Sequence, residues 1–429
     1  MTGPRAAARR GAALDFLVAG VALALLAHWA LGVDRWIDFY VEAGPSVTAL
    51  LNGNLHGFLA LAPPYGGSML LRAPAFALGG LVHLGGRTAA GNGAAGLDGA
   101  YRLGALECMA AVAALALCVA GHQRARGRPA PERALLLVVL IVNPASAWAI
   151  KLGHPEEMLT AALAVAAVLL ASRGRATWAG ILLGVAVASK QWGVLAFPLC
   201  LAACPGRRVR FTVATAASAA LILAPLFLAA SAAFVRANQA VTAAPSIFRP
   251  QQLWWTLHLS HVTPVAGGGN DLLISRPDGV VAAYSHPLIA VLATIAGVVW
   301  WRRGRAVAPL DALLLFSGVM LLRCLLDPWD SIYYHLAFIF ALATWEVYAR
   351  RRAPMFALAA SLLVWVDFET LPLYWSSDLV NLAYVAWALP GAVVMVARAL
   401  ALLPSGAATS HGGASPAVRA VRTSRPAQL

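Results

Sequence analysis

Residues 12–31 of the chain are AALDFLVAGVALALLAHWAL, and residues 34–40, DRWIDFY, follow almost directly. The first stretch has the length of about 20 residues that an α-helix needs to cross the hydrocarbon core of a bilayer. An ionisable group at a membrane boundary is a functional candidate, because a charge held near lipid is costly. The two stretches therefore predict a membrane-spanning helix followed by a candidate functional acid, Asp38.

Similar apolar runs recur along the whole chain. Of its 429 residues, 60% are hydrophobic and 12% are charged, and the mean hydropathy is +0.73. Soluble domains are typically about 45–50% apolar and about 25% charged. Backbone polar groups in lipid must be satisfied within their own segment, so the spanning elements are expected to be helices. The composition predicts an all-α, polytopic integral membrane protein.

Twelve segments are predicted to cross the membrane, with both termini in the cytoplasm. They are 12–31, 99–120, 134–150, 157–172, 178–189, 193–204, 211–233, 286–301, 308–325, 331–348, 353–368 and 379–399. The segments 178–189 and 193–204 are too short to cross alone at about 1.5 Å per residue. We therefore interpret them as a broken pair that meets near Lys190.

The charge distribution sets the predicted topology. The net charge is +14, but the basic residues form short clusters in alternate loops, such as Arg124–Arg133 and Arg350–Arg352. The positive-inside rule assigns such loops to the cytoplasm, while the acids fall in the opposite set. This arrangement excludes a nucleic-acid partner as the reason for the charge. It favours a multi-pass protein of the plasma membrane.

Two long external loops follow from that topology, at 32–98 and 234–285. The first is expected to hold an amphipathic helix near 40–52 and an interfacial helix at 67–84. If 67–84 crossed the membrane, the Arg124–Arg133 cluster would lie outside. We expect residues 1–403 to form one transmembrane domain, and residues 404–429 to form a disordered, basic cytoplasmic tail.

The candidate site residues would all lie at the outer face. They are Asp34, Asp38, His154, Glu156, Glu157, Lys190, Gln191, Arg323, Asp327, Asp330, Tyr334 and His335. Carboxylates can serve as general bases, and a lysine or arginine can neutralise a phosphate. We expect active-site chemistry of this acid–base type at the outer ends of the helices.

Structural interpretations of the same residues stay open. Asp34 could be a solvated loop acid, and Glu156 and Glu157 could complement the dipole of a helix N-terminus. Lys190 could extend its amine to the interface. Arg323 could pair with Asp327 or with Asp330.

No cofactor is predicted with certainty. The five cysteines lie in apolar spans, where packing is the expected role, so no metal ligands are assigned and a divalent metal is left open. The sequence has no phosphate-binding loop of the Gly-x-x-x-x-Gly-Lys-Ser/Thr type and no His-Glu-x-x-His pair.

Several short motifs resemble the polytopic GT-C glycosyltransferases, and most closely glycosyltransferase family 87, the actinobacterial mannosyltransferase-like membrane proteins. The similarity covers roughly residues 30–210, with looser agreement to about 350. Its motifs are Asp38-Phe39-Tyr40-Val41, Leu51-Asn52-Gly53, Pro63-Pro64-Tyr65, Asn143-Pro144 through Gly153-His154, and Ala179–Gly184 leading to Ser189-Lys190. At Gly153-His154 the chain departs from the pattern, since family members often have Gly-Gln there.

The resemblance implies a GT-C-like fold and an inverting sugar transfer outside the membrane. It implies a polyprenyl-phosphate sugar donor, with mannose the expected sugar, and a cell-envelope glycan or glycolipid acceptor. Carried over, Asp38 would be the general base and Asp34 its support, while Lys190 and Arg323 would hold the donor phosphate. Membrane lipid is a further expected partner.

Two alternatives remain open from the sequence. One is a flippase or transporter of lipid-linked sugars, which would place charged residues along a transmembrane path rather than at one face. The other is a non-catalytic membrane protein of envelope assembly.

Overall fold

The computed structural model describes residues 4–32, 36–82, 94–240, 249–257, 260–263, 274–277, 279–304 and 307–402. Within these ranges the chain is predominantly helical, and the prediction of an all-α membrane protein is confirmed. One small addition is a pair of short antiparallel strands, β1 (Ser260–Thr263) and β2 (Ile274–Pro277), which lie between the helices of the second half. Asp34 and residues 404–429 lie outside the described ranges.

In the first half of the chain, the described residues form eleven α-helices, one π-helical turn and one 3₁₀ segment. The α-helices are α1 (Pro4–Leu31), α2 (Gly44–Leu51), α3 (Leu55–Ala60), α4 (Gly66–Val82), α5 (Ala94–Ala125), α6 (Ala130–Ile141), α7 (Pro144–Leu152), α8 (Glu156–Ser172), α9 (Ala176–Ser189), α10 (Phe197–Ala203) and α11 (Arg208–Ala240). A π-helical turn (Phe39–Ala43) precedes α2, and a 3₁₀ segment (Gln191–Ala196) precedes α10.

The second half adds α12 (Leu253–Thr256), α13 (Gly279–Arg303), α14 (Asp311–Leu326), α15 (Leu336–Tyr348), α16 (Met355–Trp365) and α17 (Ser377–Ala399). A 3₁₀ turn (Ile332–His335) leads into α15. After α16, a π-helical turn (Val366–Thr370) and a 3₁₀ turn (Leu371–Leu373) continue the helix.

Each of the twelve predicted crossings lies on helical structure. Among the residues that the structure describes, seven helices are long and apolar enough to span a membrane: Arg9–Leu31, Gly96–Ala125, Ala130–Leu152, Arg208–Arg236, Ala283–Arg303, Met355–Leu373 and Ser377–Ala399. The other predicted crossings lie on shorter helices, so a multi-pass membrane protein is established and the count of twelve stays a prediction.

The helices run further than the predicted loop boundaries suggested. Helix α5 begins at Ala94, inside the predicted loop 32–98, while α11 continues to Ala240 and α13 begins at Gly279, inside the loop 234–285. Hydropathy marks the part of a helix that lies in lipid. Helical hydrogen bonding continues into the interface, where polar side chains can be solvated.

Two interruptions place polar groups at helix ends. Helix α9 ends at Ser189, and Lys190 adopts an extended conformation before the 3₁₀ segment begins, which confirms the predicted break. Helices α6 and α7 are separated at Asn143, whose side-chain oxygen accepts a hydrogen bond from the amide of Ser146. An Asn in this N-cap position satisfies an otherwise unpaired amide of the helix.

A buried ion-pair group ties α1 to its neighbours. Asp15 in α1 accepts a hydrogen bond from Nε of Arg133 at 2.8 Å and pairs with Arg124 as well. A carboxylate within an apolar helix needs such partners, because an isolated buried charge is strongly unfavourable. This contact fixes the first helix against α5 and α6, and so fixes the start of the segment that carries Asp38.

Candidate active site

Asp38 and His154 form the exposed edge of the site. Asp38 lies just before the π-helical turn, and its side chain is 41% exposed, whereas the side chain of His154 is 7% exposed. Nε2 of His154 lies 3.2 Å from Oδ2 of Asp38. A carboxylate held on one side by a buried imidazole still presents its other oxygen to a ligand.

Gly153 brings these two residues together. It ends α7 with φ +104°, a left-handed conformation that favours glycine because it has no Cβ. A Cβ built on Gly153 would lie 2.5 Å from the backbone nitrogen of Phe39. The turn between α7 and α8 therefore packs directly on the backbone beside Asp38, and only glycine fits there.

Glu156 is the centre of the site. It is fully buried, and its Oε1 lies 2.9 Å from Nδ1 of His154 and 3.1 Å from Nζ of Lys190. Its Oε2 lies 3.5 Å from Nη2 of Arg72, which is also buried. A buried carboxylate is tolerated when several charged donors surround it, and here three do so.

Lys190 contacts Glu157 and the ring of Tyr65 as well as Glu156. Its Nζ lies 3.3 Å from Oε1 of Glu157 and 4.6 Å from the centre of the Tyr65 ring. Oε2 of Glu157 accepts a hydrogen bond of 2.7 Å from the indole of Trp192. The positive charge of Lys190 is thus already balanced by two carboxylates of the protein.

The protonation of His154 follows from its neighbours. Burial and the charge of Lys190 favour the neutral imidazole, but the hydrogen bonds to Asp38 and Glu156 outweigh them and raise the pKa of His154 to about 9. At neutral pH the ring is therefore an imidazolium that donates one N–H to each carboxylate. The imidazolium also holds the Asp38 carboxylate in a fixed direction.

Arg323 forms a second group beside the first. Its Nη2 lies 3.5 Å from Oδ2 of Asp327, and its guanidinium carbon lies 4.2 Å from the Tyr334 ring and 5.2 Å from the Trp192 ring. Its Nη1 is buried and has no hydrogen-bond partner among the described residues. This donor is therefore available to an anion that enters between the rings.

Asp327 holds the other side of the arginine. Burial alone would raise its pKa, but the hydrogen bond and charge of His286, together with Arg323, lower the pKa of Asp327. The backbone amide of Trp329 donates a further hydrogen bond to its Oδ1 at 3.1 Å. Of the two partners considered for Arg323, the structure selects Asp327.

The structure therefore brings together eight of the predicted residues. Those that share the two groups are Asp38, His154, Glu156, Glu157, Lys190, Arg323, Asp327 and Tyr334. Gln191 lies beside them and donates a hydrogen bond of 2.8 Å to the carbonyl of Pro64. Asp330 and His335 are fully buried and contact Tyr384 and Phe368 rather than the exposed edge, and Asp34 lies outside the described residues.

The helix-dipole interpretation of the two glutamates is compatible with their place in the site. Glu156 and Glu157 do occupy the first turn of α8, where a carboxylate complements the helix dipole. They also carry the ion pairs with Lys190, so the N-terminus of α8 organises the cationic groups around it.

Sequence reasoning missed Arg72, Tyr65 and Tyr333 as members of the site. Arg72 stood out as a charge inside the apolar stretch 67–84, which is the signal that marks a functional or paired residue in a membrane protein. The rings of Tyr65 and Tyr333 lie 5.8 Å and 5.3 Å from the His154 ring and flank it. Tyr65 belongs to the Pro63-Pro64-Tyr65 motif of the family resemblance, whereas no local pattern distinguishes Tyr333 from an interfacial aromatic residue.

One comparison with known proteins gives a match. The model described as Glycosyltransferase family 87 matches residues 100–328, just over half of the chain. The matched part contains His154, Glu156, Lys190 and Arg323, whereas Asp38 and Arg72 precede it. No curated protein and no solved structure gives a significant match.

Proposed function

This chain belongs to glycosyltransferase family 87 and is a membrane glycosyltransferase, and on that premise we propose that it uses a polyprenyl-phosphate sugar. Mannose is the sugar we propose, and a cell-envelope glycan or glycolipid is the proposed acceptor. The single observation that supports this best is the Asp38–His154–Glu156 series. It offers one partly exposed carboxylate whose direction is fixed by buried partners.

The proposed reaction uses Asp38 as general base. An acceptor hydroxyl gives its proton to the carboxylate of Asp38 while its oxygen forms a bond with the anomeric carbon of the sugar. The bond between that carbon and the phosphate oxygen breaks, and the polyprenyl phosphate leaves with the electron pair. One such displacement inverts the configuration, and a positioned base of this kind contributes about 10²–10⁴-fold to the rate.

Arg323 is the proposed contact for the donor phosphate. Its Nη1 is buried without a partner among the described residues, and its Asp327 contact is long at 3.5 Å. Hydrogen bonds between a guanidinium and a phosphate are among the strong ones in proteins. Lys190 supports the site less directly, since Glu156 and Glu157 already neutralise it.

The tyrosine rings around His154 favour a sugar as ligand. The rings of Tyr65 and Tyr333 flank the imidazole, and the ring of Tyr334 stacks on Arg323. Aromatic rings offer apolar faces on which the C–H groups of a sugar can pack, and a polar rim at their hydroxyls. We propose that this site faces outward at the plasma membrane, with both termini in the cytoplasm.

The experiment is a transfer assay with the full chain reconstituted in lipid vesicles. Radiolabelled polyprenyl-phosphate mannose and polyprenyl-phosphate arabinose are supplied in separate reactions with a cell-envelope lipid extract as acceptor. We expect label transfer from the mannose donor by the wild type and by Glu132→Gln, whose carboxylate pairs with Arg128 away from the site.

The variant Asp38→Asn tests the catalytic base. It should insert in the membrane as the wild type does and transfer about 10²–10⁴-fold more slowly. A rate within twofold of the wild type would remove Asp38 from the mechanism. Transfer from the arabinose donor alone would show that the donor sugar is arabinose and not mannose. Transfer from neither donor would overturn the proposed donor class.

A further inference from the structure

Cys324, Asp330 and His335 form a compact buried group behind the site, here named the Cys-Asp-His group. One ligand-type atom from each residue lies within 4.8 Å of the other two, and all three side chains are buried. They come from the end of α14, from the loop that follows it and from the 3₁₀ turn before α15. The group thus joins three consecutive elements at one point.

Asp330 is buried beside the Tyr384 hydroxyl, and no basic group of the described residues forms a close ion pair with it. Neither of its carboxylate oxygens has a hydrogen-bond partner within the described part of the chain, and the residue is fully buried. The nearest basic atom is Nε2 of His335, at 3.9 Å from Oδ2. An isolated buried carboxylate is very unfavourable, and buried charges are normally paired or coordinate a metal. An aspartate in this position is stable as the neutral acid or as a metal ligand, and both of its oxygens can bind a cation.

His335 is oriented as metal-binding histidines are. Its Nδ1 lies 3.2 Å from the carbonyl oxygen of Ile332, to which it donates in the neutral tautomer. Its Nε2 then carries the lone pair and faces both the Asp330 carboxylate and the hydroxyl of Tyr384, which lies at 2.9 Å. A second hydrogen bond from the other ring nitrogen is the usual way in which proteins aim such a ligand.

We propose that the Cys-Asp-His group binds one Zn²⁺ ion. Thiolate, imidazole and carboxylate are the ligands that zinc takes in proteins, at about 2.0–2.3 Å. In a tetrahedral site with those bond lengths the ligand atoms lie roughly 3.5 Å apart, so the three side chains close by about 1 Å. The Tyr384 hydroxyl or a water completes the fourth position.

Charge balance supports a divalent ion in this place. Binding of Zn²⁺ releases the thiol proton of Cys324 and any proton held by Asp330, and leaves one thiolate, one carboxylate and a neutral imidazole around the metal. The resulting group has no net charge, which suits a site without solvent contact. The metal would be structural, because full burial of all three ligands keeps substrate away from it.

Its expected role is to fix the loop that carries Asp327 and Tyr334. That loop begins at the C-terminus of α14 and supplies the two contacts that hold Arg323. A metal at its base would restrain the arginine without touching substrate. This assignment replaces the packing role that the sequence predicts for Cys324.

The first test is the metal content of the purified full-length protein in lipid nanodiscs, by elemental mass spectrometry. We expect about one zinc ion per chain for the wild type. Cys324→Ala and Asp330→Asn should each contain at least about fivefold less. Cys200→Ala is the matched control, because Cys200 is an equally buried thiol outside the group, and it should retain the wild-type content.

A second measurement begins with the wild-type protein and so tests metal binding before any variant is made. Zinc-stripped wild-type protein that remains monodisperse is titrated with Co²⁺, and a saturable sulfur-to-cobalt charge-transfer band is expected. That band should persist in Cys200→Ala. Monodisperse wild-type protein with neither zinc nor a cobalt band would overturn the proposal, as would a band that survives in Cys324→Ala.

Discussion

The imidazole of His154 lies between two carboxylates, 3.2 Å from Oδ2 of Asp38 through Nε2 and 2.9 Å from Oε1 of Glu156 through Nδ1. One of these carboxylates is partly exposed and the other is fully buried. Glu156 therefore helps to orient Asp38 through the imidazole ring of His154. This relationship makes His154 a positioning residue for Asp38 and supplies the first two predictions.

Replacing His154 with Gln should lower kcat and leave the KM for the donor nearly unchanged. The amide can fill part of the space but cannot donate to both carboxylates, so Asp38 loses its fixed direction. We expect a loss of about tenfold to a hundredfold, the size that a misplaced catalytic group can cause. Initial rates over a range of donor concentrations separate the two constants, and an unchanged kcat would contradict the positioning role.

The wild-type protein should lose transfer activity and stability as the pH rises through about 9. The pKa of His154 is raised to about 9 in the folded protein, against about 6.5 for an ordinary histidine. The ion pairs of the imidazolium are therefore complete below pH 6.5, and their contribution to stability is lost between pH 6.5 and 9. Thermal unfolding and transfer rates at several pH values measure both effects.

His154→Gln is the control for the pH dependence. The variant lacks the titrating ring, so its unfolding temperature should change much less than that of the wild type over the same pH range. An equal decline in both proteins would assign the pH effect to another group.

Replacing Glu156 with Gln should destabilise the protein more than any exposed ion pair could. Arg72, His154 and Lys190 would lose the carboxylate that they share. Breaking a buried ion pair costs about 3–5 kcal/mol, whereas exposed pairs contribute about 0.2–1 kcal/mol. Glu132→Gln, which removes a partly exposed pair with Arg128, is the comparison for thermal unfolding in detergent. Equal unfolding temperatures for the two variants would argue against the central role of Glu156.

Gly153→Ala should lower the transfer rate by displacing the turn that packs beside Asp38. The new Cβ would require φ +104° and would meet the Phe39 backbone at 2.5 Å, so the turn must move away from Asp38. Gly174→Ala is a matched control, since Gly174 also has a positive φ of +71° but no atom within 4 Å of the added Cβ. We expect both to lose about 1–2 kcal/mol of stability from the left-handed conformation. Only Gly153→Ala should lose more than about tenfold in kcat.

Replacing Arg323 with Gln should raise the KM for the donor. If its Nη1 donates to the donor phosphate, loss of that charged hydrogen bond costs about 1.5–3 kcal/mol, or tenfold or more in affinity. Arg350→Gln is the control, because Arg350 stacks on Trp345 in a basic cluster apart from the site. Arg323→Lys should recover little of the loss, since lysine lacks the planar fork that stacks between rings. A donor KM equal to that of the wild type would place the phosphate elsewhere.

The sequence was sufficient for the class of fold and for the helix break at Lys190, but not for the break at Asn143, which lies inside the predicted crossing 134–150. Hydropathy is a local property, and apolar runs of membrane length allow only a helix when lipid supplies no hydrogen bonds. The break at Lys190 followed from two segments that are each too short to cross. The same local reasoning could not give helix ends, because helical hydrogen bonding continues past the lipid boundary.

The site was only partly accessible from sequence. Charged groups are costly in a membrane protein, so each of the few in this chain is a candidate for a function or a partner. This reasoning identified Asp38, His154, Glu156, Glu157, Lys190 and Arg323. Arg72 carried the same signal, as a charge inside the apolar stretch 67–84, but it was not among the predicted site residues. Asp330 and His335 were placed with the substrate contacts, whereas the fold buries them behind the site beside Cys324.

What the sequence determined by itself is an all-α membrane protein with scarce charges at helix ends, since these follow from the composition of each segment. The tertiary structure alone decided which charges meet. Arg72 and Glu156 are 84 positions apart, and their contact depends on how α4 and α8 pack. Packing also decided that Asp38 stays exposed while His154 is buried beside it. That difference in burial is a property of the assembled helices, and no single segment encodes it.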